Sequence, residues 1–275
     1  MPRPFVALVT GGSSGIGEAT ARRLAREPGA RLVLAARREQ RLRALADELG
    51  GATVVAVDLT SPEAPATVRA AIEREHGALH LLVNNAGASW RGSFGDAGWD
   101  NVARHMRLNF EAPVRLTEAL LPLLRRTAAA GSGQPRVSIV NVASTAGRVA
   151  RPGAGAYSAS KFALVGWTDA LHAEEAEHGV HVGLVLPGYV ATEGFPATEI
   201  RAQAATRWIV AKPATVAEAI VEAGPGGKAE RYAPRPYFVA AAARLLAPAL
   251  VRRVTRGGAF TTATGADRTH EATPP

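Results

Sequence analysis

Phe5-Val6-Ala7-Leu8-Val9-Thr10-Gly11-Gly12-Ser13-Ser14-Gly15-Ile16-Gly17 decides the fold. A short apolar run gives way at Gly11 to glycine and serine, and a helical pattern opens at about Glu18. Strand, glycine-rich turn and helix in that order form a cradle for a pyrophosphate. Glycines let the backbone bend sharply and approach closely, while the free N–H groups and positive dipole end of the helix attract the charge. A Gly/Ser loop alone could be an ordinary turn. Its position between the first strand and the first helix gives it weight.

Outward from this cradle, buried-strand runs recur at Arg31 to Ala35, Thr53 to Val57, Leu79 to Val83, Val137 to Val142 and Val180 to Leu186. Helical periodicity fills Gly15 to Glu27, Glu39 to Leu49 and Pro62 to His76. Short apolar strands alternating with helices predict a doubly wound α/β fold, a parallel sheet with helices on both faces. One domain is expected over residues 1–236, with a breaker loop at Gly131 to Pro135 and a covering segment at about 189–211. An amphipathic helix is expected over 237–256, and the small, polar stretch 257–275 is expected to be disordered.

Composition narrows the chemistry. The 275 residues contain no cysteine, which excludes a disulfide framework, a thiolate nucleophile and an iron–sulfur cluster. No spacing calls for a metal. The apolar run ending at Thr10 is too short for a signal-peptide core or a membrane span, so a cytoplasmic location is expected. Net charge is +8, and 29 of the 32 basic residues are arginine, dispersed rather than massed in a block. Solvated helix faces account for that better than a nucleic-acid partner, and none is expected.

The end of the second strand selects the nucleotide. A site for NAD would offer an acid there to the ribose 2′-hydroxyl, but the sequence is Leu34-Ala35-Ala36-Arg37-Arg38. An arginine can fork onto a phosphate. Arg37, with Arg38 and Ser13, is therefore expected to hold the 2′-phosphate of NADP(H).

These residues, together with Asn84-Asn85-Ala86-Gly87, Ser144 and Tyr157-Ser158-Ala159-Ser160-Lys161, resemble the short-chain dehydrogenase/reductase family over roughly residues 5 to 195. The resemblance implies a Rossmann-type fold, an NADP(H) cofactor and hydride transfer to or from a small-molecule carbonyl or alcohol, as in a carbonyl reductase. It implies that Gly11, Ser13, Ser14, Gly15, Ile16 and Gly17 cradle the cofactor and that Asp58 and Leu59 meet the adenine. By the same resemblance Asn85, Ala86 and Gly87 line the adenosine ribose, and Pro187, Gly188 and Thr192 close on the nicotinamide. Ser144, Tyr157, Lys161 and Asn109 are implied as the catalytic set, with Asn109 positioning a water in a proton relay. A homo-oligomer, dimer or tetramer, is also implied.

The chemistry of that set can be argued from the residues. Tyr157 and Lys161, four apart on a helix, share a face. Bringing a phenol from near pH 10 to neutrality takes about 4 kcal/mol in favour of the phenolate. An ammonium roughly 5 Å away supplies about 3 kcal/mol at an effective dielectric near 20. The oxidised nicotinamide would supply the rest. Ser144, at the carboxyl end of a strand, would steady the substrate oxygen, although a serine there also makes a good turn cap.

The C-terminal part departs from the family pattern. In place of a last strand and a Gly-rich terminus, Arg231 to Pro236 precede a helix rich in leucine and arginine. That helix resembles the tails of family members acting on lipid-like carbonyls, which implies an apolar substrate and peripheral membrane contact. Trp90, Phe94, Arg148, Tyr189, Phe195 and Trp208 are candidates for the pocket wall. The alternative reading is an NADP(H)-sensing binding protein of the same fold without turnover.

Overall fold

The computed structural model describes residues 4–131, 136–193 and 210–256. Its elements run β1 (Phe5–Thr10), α1 (Gly15–Leu24), β2 (Ala30–Ala36), α2 (Glu39–Glu48), β3 (Thr53–Ala56), α3 (Ala64–Glu75) and β4 (Leu81–Asn84). After α4 (Phe94–Met106) and a π-helical turn (Arg107–Glu111) come α5 (Ala112–Ala130), β5 (Ser138–Val142), a 3-10 turn (Thr145–Gly147), α6 (Gly155–Ala176) and β6 (His181–Pro187). The chain continues through β7 (Tyr189–Val190), β8 (Val210–Ala211), α7 (Pro213–Ala223), β9 (Glu230–Ala233), α8 (Tyr237–Leu246) and α9 (Pro248–Arg256).

Seven parallel strands form one sheet in the order β3-β2-β1-β4-β5-β6-β9. All six residues of β1 are buried, because helices cover both faces. Phe5, Ala7 and Val9 pack with Leu24, Leu42 and Ile220 from α1, α2 and α7. Val6 and Leu8, on the opposite face, pack with Val68, Ile72, Leu120 and Leu124 from α3 and α5. The strand's two-residue alternation thus serves two cores at once. Strand order reverses between β1 and β4, which opens a crevice at the carboxyl ends of the central strands.

Two expectations about the C-terminal part need correction. A last strand does exist: β9 pairs in parallel with β6, Leu186 opposite Tyr232 and Pro187 opposite Ala233. The single helix over 237–256 is instead two, because Ala247 leaves the helical region (φ −136°, ψ 61°) ahead of Pro248. Proline lacks the N–H that a continuing helix needs and pushes its predecessor out of helical geometry. Leu245 and Leu246 at that break are 80% and 86% exposed. Among the described residues no helix is long and apolar enough to cross a membrane. The expected tail over 257–275 and most of the covering segment, with Phe195 and Trp208, lie outside the described residues.

Candidate active site

The expected cradle lies between β1 and α1, whose start at Gly15 agrees with the helical periodicity read from Gly15 onward. Ser13, Ser14 and Ile16 occupy the loop and the first helical turn. Gly17 is where the loop closes on itself: a Cβ there would stand 2.2 Å from the Gly11 carbonyl oxygen and 2.7 Å from Asn85 Nδ2. Thr10 and Asn85 fasten the cradle to β4. The Asn85 and Ala86 N–H groups donate to Thr10 Oγ1 at 2.9 and 3.0 Å, and Asn85 Nδ2 donates to the Thr10 carbonyl at 2.9 Å. Gly87 follows directly, facing Asn109 and Lys161.

At the end of β2 the two arginines divide their work differently from the expectation. Arg38, rather than Arg37, reaches the cradle, donating to Ser13 Oγ at 3.2 Å and Ser14 Oγ at 2.6 Å. Arg37 faces Asp58. Burial pulls the Asp58 carboxyl up, but two hydrogen bonds from Thr60 and the charge of Arg37 outweigh it and leave it below the usual range. Leu59 is half-buried beside it. The sequence at the end of β2 gave no sign of Arg41, one turn further on, whose guanidinium forks onto Glu193 at 2.6 and 3.0 Å. Arg38 reaches the same carboxylate at 3.3 Å. Arg41, then Arg38, pull the Glu193 carboxyl down to about 2. An anionic group is thus already seated between these arginines beside Ser13 and Ser14, and the residues fit a phosphate. The preceding Thr192 lies over Gly15, with Cγ2 3.0 Å from where a Cβ would be.

At the carboxyl end of β5, Ser144 occupies two roles. Its hydroxyl accepts from the Ala146 N–H at 3.1 Å, capping the 3-10 turn, and donates toward the Pro187 carbonyl at 3.4 Å. It is also hydrogen-bonded to the Tyr157 phenol. Lys161, one turn along α6, is buried, with Nζ donating to the Val142 carbonyl at 2.9 Å and lying 6.0 Å from the Tyr157 ring centroid. Burial lowers the lysine to about 8. It pushes the phenol up, against smaller opposing effects of Ser144 and Arg151. The expected depression of the phenol by Lys161 is therefore corrected: in the protein alone desolvation wins, and the tyrosine is held protonated.

Asn109 lies in the π-helical turn between α4 and α5. Its Oδ1 accepts from the Ala88 N–H at 3.0 Å, and its Nδ2 donates to the Ala88 carbonyl at 2.9 Å and to Ser160 Oγ at 3.1 Å. The side chain thus clamps the segment after β4 to α6. π-Bulges of this kind recur at functional sites.

Sequence reasoning missed three residues around the phenol. His105 is fully buried, accepts from the Trp90 N–H at Nε2 (3.0 Å) and contacts the Asn101 carbonyl through Nδ1 (2.6 Å), with its ring 6.1 Å from that of Tyr157. Both nitrogens are satisfied by the neutral form, and burial lowers its proton affinity. Arg151 lies 4.8 Å over the Tyr189 ring, and Tyr237 of α8 packs on the turn after β6. There a Cβ on Gly188 would stand 2.2 Å from the Tyr237 ring, so only glycine admits α8. None of the three belongs to a spacing motif. Of the other wall candidates, Trp90 meets His105 edge-to-face, Phe94 is 73% exposed at the start of α4, and Arg148 is drawn away to Glu230 at 2.6 Å.

The chain is similar to curated proteins across this region. It is 36% identical over 197 residues to Dehydrogenase/reductase SDR family member 7B of Danio rerio, covering 68% of this chain and 61% of that one. The chain thus spans about three-fifths of that relative's length. Similarity to Oxidoreductase UcpA of Escherichia coli K12 is 40% over 194 residues, 68% of this chain and 69% of that one. Among solved structures, L-sorbose reductase from Gluconobacter frateurii, complexed with NADPH and L-sorbose, superposes with a TM-score of 0.72 at 26% identity, covering 83% of this chain and 94% of that one. The short chain dehydrogenase family matches residues 5–202, a stretch that runs from β1 through the glycine cradle, Ser144, Tyr157 and Lys161, and the chain belongs to that family.

Proposed function

We propose that the protein is an NADPH-dependent carbonyl reductase in which Tyr157 is the general acid. The observation that carries this reading is the meeting of Ser144, Tyr157 and Lys161 at the carboxyl end of β5, in the crevice that also holds the glycine cradle. Bound NADPH would supply the hydride. Gly11 to Gly17, Asp58, the Asn85–Gly87 turn and Pro187 to Thr192 would hold the cofactor, with Arg38 and Arg41 on its 2′-phosphate.

Reduction requires a proton on the phenol, which an ordinary tyrosine already carries at neutral pH and which burial makes harder to remove. Ser144 would donate a hydrogen bond to the substrate oxygen while Tyr157 transfers its proton to it. Lys161, charged below about pH 8, would stabilise the tyrosinate left behind. Trp90, Tyr189 and Tyr237 supply aromatic surface for an apolar substrate body. The exposed leucines and arginines of α8 and α9 suit contact with a membrane surface or a second subunit. The test is NADPH consumption over a panel of aldehydes, ketones, steroids and quinones. Tight NADPH binding with no turnover across such a panel would favour the nucleotide-sensing alternative.

Two further outcomes are expected. Arg38→Ala removes a charged donor from the phosphate, and donors of this kind contribute about 1.5–3 kcal/mol. NADPH affinity should fall roughly 10- to 150-fold with NADH affinity little changed; equal loss for both in fluorescence titrations would contradict the assignment. Glu193→Gln frees the arginines and should tighten NADPH several-fold in the same titration.

The pH dependence follows from the lysine. Its proton is lost as pH rises through about 8, so the reductive kcat should hold steady below that value and decline above it. A kcat that stays flat to pH 9.5 would remove Lys161 as the stabiliser.

A further inference from the structure

Arg151 lies in the turn between β5 and α6, six residues before Tyr157, and Arg91 lies in the segment after β4. The Gly92 N–H donates to the Gly153 carbonyl at 3.0 Å and ties the two segments together. Both arginines are thereby brought to one rim of the crevice. The Arg151 guanidinium lies 4.8 Å over the Tyr189 ring, just beyond the Pro187-Gly188 turn, and its charge is felt by both the Tyr157 and Tyr237 phenols.

This guanidinium is half-buried and makes no ion pair with a carboxylate among the described residues. The contrast with Arg148 in the same turn is direct, since Arg148 is matched by Glu230 at 2.6 Å. Arg151 instead faces a second cation. Burial first, then the charge of Arg91, lowers its affinity for a proton. A guanidinium keeps its charge in proteins, so the cost of burial is borne with the Tyr189 ring beside it and no carboxylate partner among the described residues. An anion arriving at the rim would relieve both that cost and the repulsion from Arg91. Arg91 has contacts of its own, and the argument rests on the position of Arg151.

We propose that Arg151, assisted by Arg91, receives an oxyanion of the substrate, a carboxylate or a phosphate carried close to the carbonyl that Tyr157 serves. This rests on the reductase reading for the carbonyl but not for the anion. With the aromatic walls, it describes a substrate with an apolar body and an acidic group, an oxo-acid or an oxo-phosphate. Arginine's planar fork suits either group, and its place over the Tyr189 ring holds the guanidinium at the rim.

The test uses matched pairs that differ in charge: 4-oxopentanoate with its methyl ester, and dihydroxyacetone phosphate with dihydroxyacetone. Wild-type kcat/KM for NADPH consumption should favour the anion at least tenfold in one pair, and which pair responds distinguishes carboxylate from phosphate. Arg151→Met should bring that ratio near unity and Arg151→Lys should keep part of it. Arg91→Met should lower it by a smaller factor. A purely structural stacking role would depress both members of a pair together and leave the ratio standing, which would overturn the proposal, as would a preference for the neutral member in both pairs.

Binding is measured separately on Tyr157→Phe protein loaded with NADP, by calorimetric titration of the same four compounds. Selective binding of an anion with no wild-type turnover would sink the reductase reading and leave the anion site in place. Equal or absent binding of the charged and neutral members would sink the anion site whatever the enzyme reduces.

Discussion

Tyr157→Phe should lower kcat by about 10²- to 10⁴-fold, the range over which a positioned general acid acts, while NADPH affinity stays within a few-fold of wild type. The variant removes one oxygen. Ser144 retains the Ala146 N–H and the Pro187 carbonyl, so its orientation does not depend on the phenol. Lys161 retains the Val142 carbonyl. The ring still packs near His105. What disappears is the proton at the point where the substrate oxygen acquires charge. Single-turnover kinetics and cofactor titration on the same preparation check the two halves together. A decline in NADPH binding matching the decline in rate would mean that the phenol serves the cofactor rather than the reaction.

Gly17→Ala should have the second large effect, and its origin is steric. The added methyl would stand 2.2 Å from the Gly11 carbonyl oxygen, which belongs to the backbone and cannot swing aside as a flexible side chain would. Either α1 moves off β1 or the loop opens. Overpacking of this kind costs typically 1–3 kcal/mol. The loop is also the proposed cradle, so opening it misplaces N–H groups that must face a phosphate together. The expected result is a lower thermal midpoint without cofactor, and at least a 30-fold loss of NADPH affinity. Wild-type affinity in a variant that is merely less stable would separate this glycine's packing role from the cradle.

Much of this site was legible because its parts are short-range. The cradle is contiguous, Tyr157 and Lys161 are one helical turn apart, and Ser144 ends an apolar strand. Charge at the end of β2 pointed to the region where Arg38 meets Ser13 and Ser14. Which arginine faces it depends on side-chain direction, and the Arg41–Glu193 pair joins residues 152 positions apart. The phenol's direction of shift was misjudged because pairwise attraction can be estimated from spacing, whereas desolvation depends on every surrounding element. His105 and Arg151 escaped for a related reason, as their meaning lies in packing against Trp90, Tyr157 and Tyr189 rather than in any spacing.

The fold followed the same division. Strands buried on both faces read as continuous apolar runs, and β1, β2 and β4 to β6 were found within a residue or two, as was β3, an apolar run on a half-exposed edge of the sheet. β9 was missed because Glu230-Arg231-Tyr232-Ala233 has no such run. It is an edge strand, where polar residues are tolerated and pairing with β6 alone suffices. The break at Ala247 was legible in Pro248 but was outweighed by the leucine and arginine periodicity on both sides.

The most direct measurement follows a labelled hydride. Wild-type protein and Tyr157→Phe are each mixed with NADPH carrying deuterium on the transferable position and with the carbonyl panel, and products are read by mass spectrometry. The account requires an alcohol that carries the deuterium on its carbinol carbon with wild type, and almost none with the variant. Tight NADPH binding without any deuterated alcohol, or equal yields from the two proteins, would contradict it.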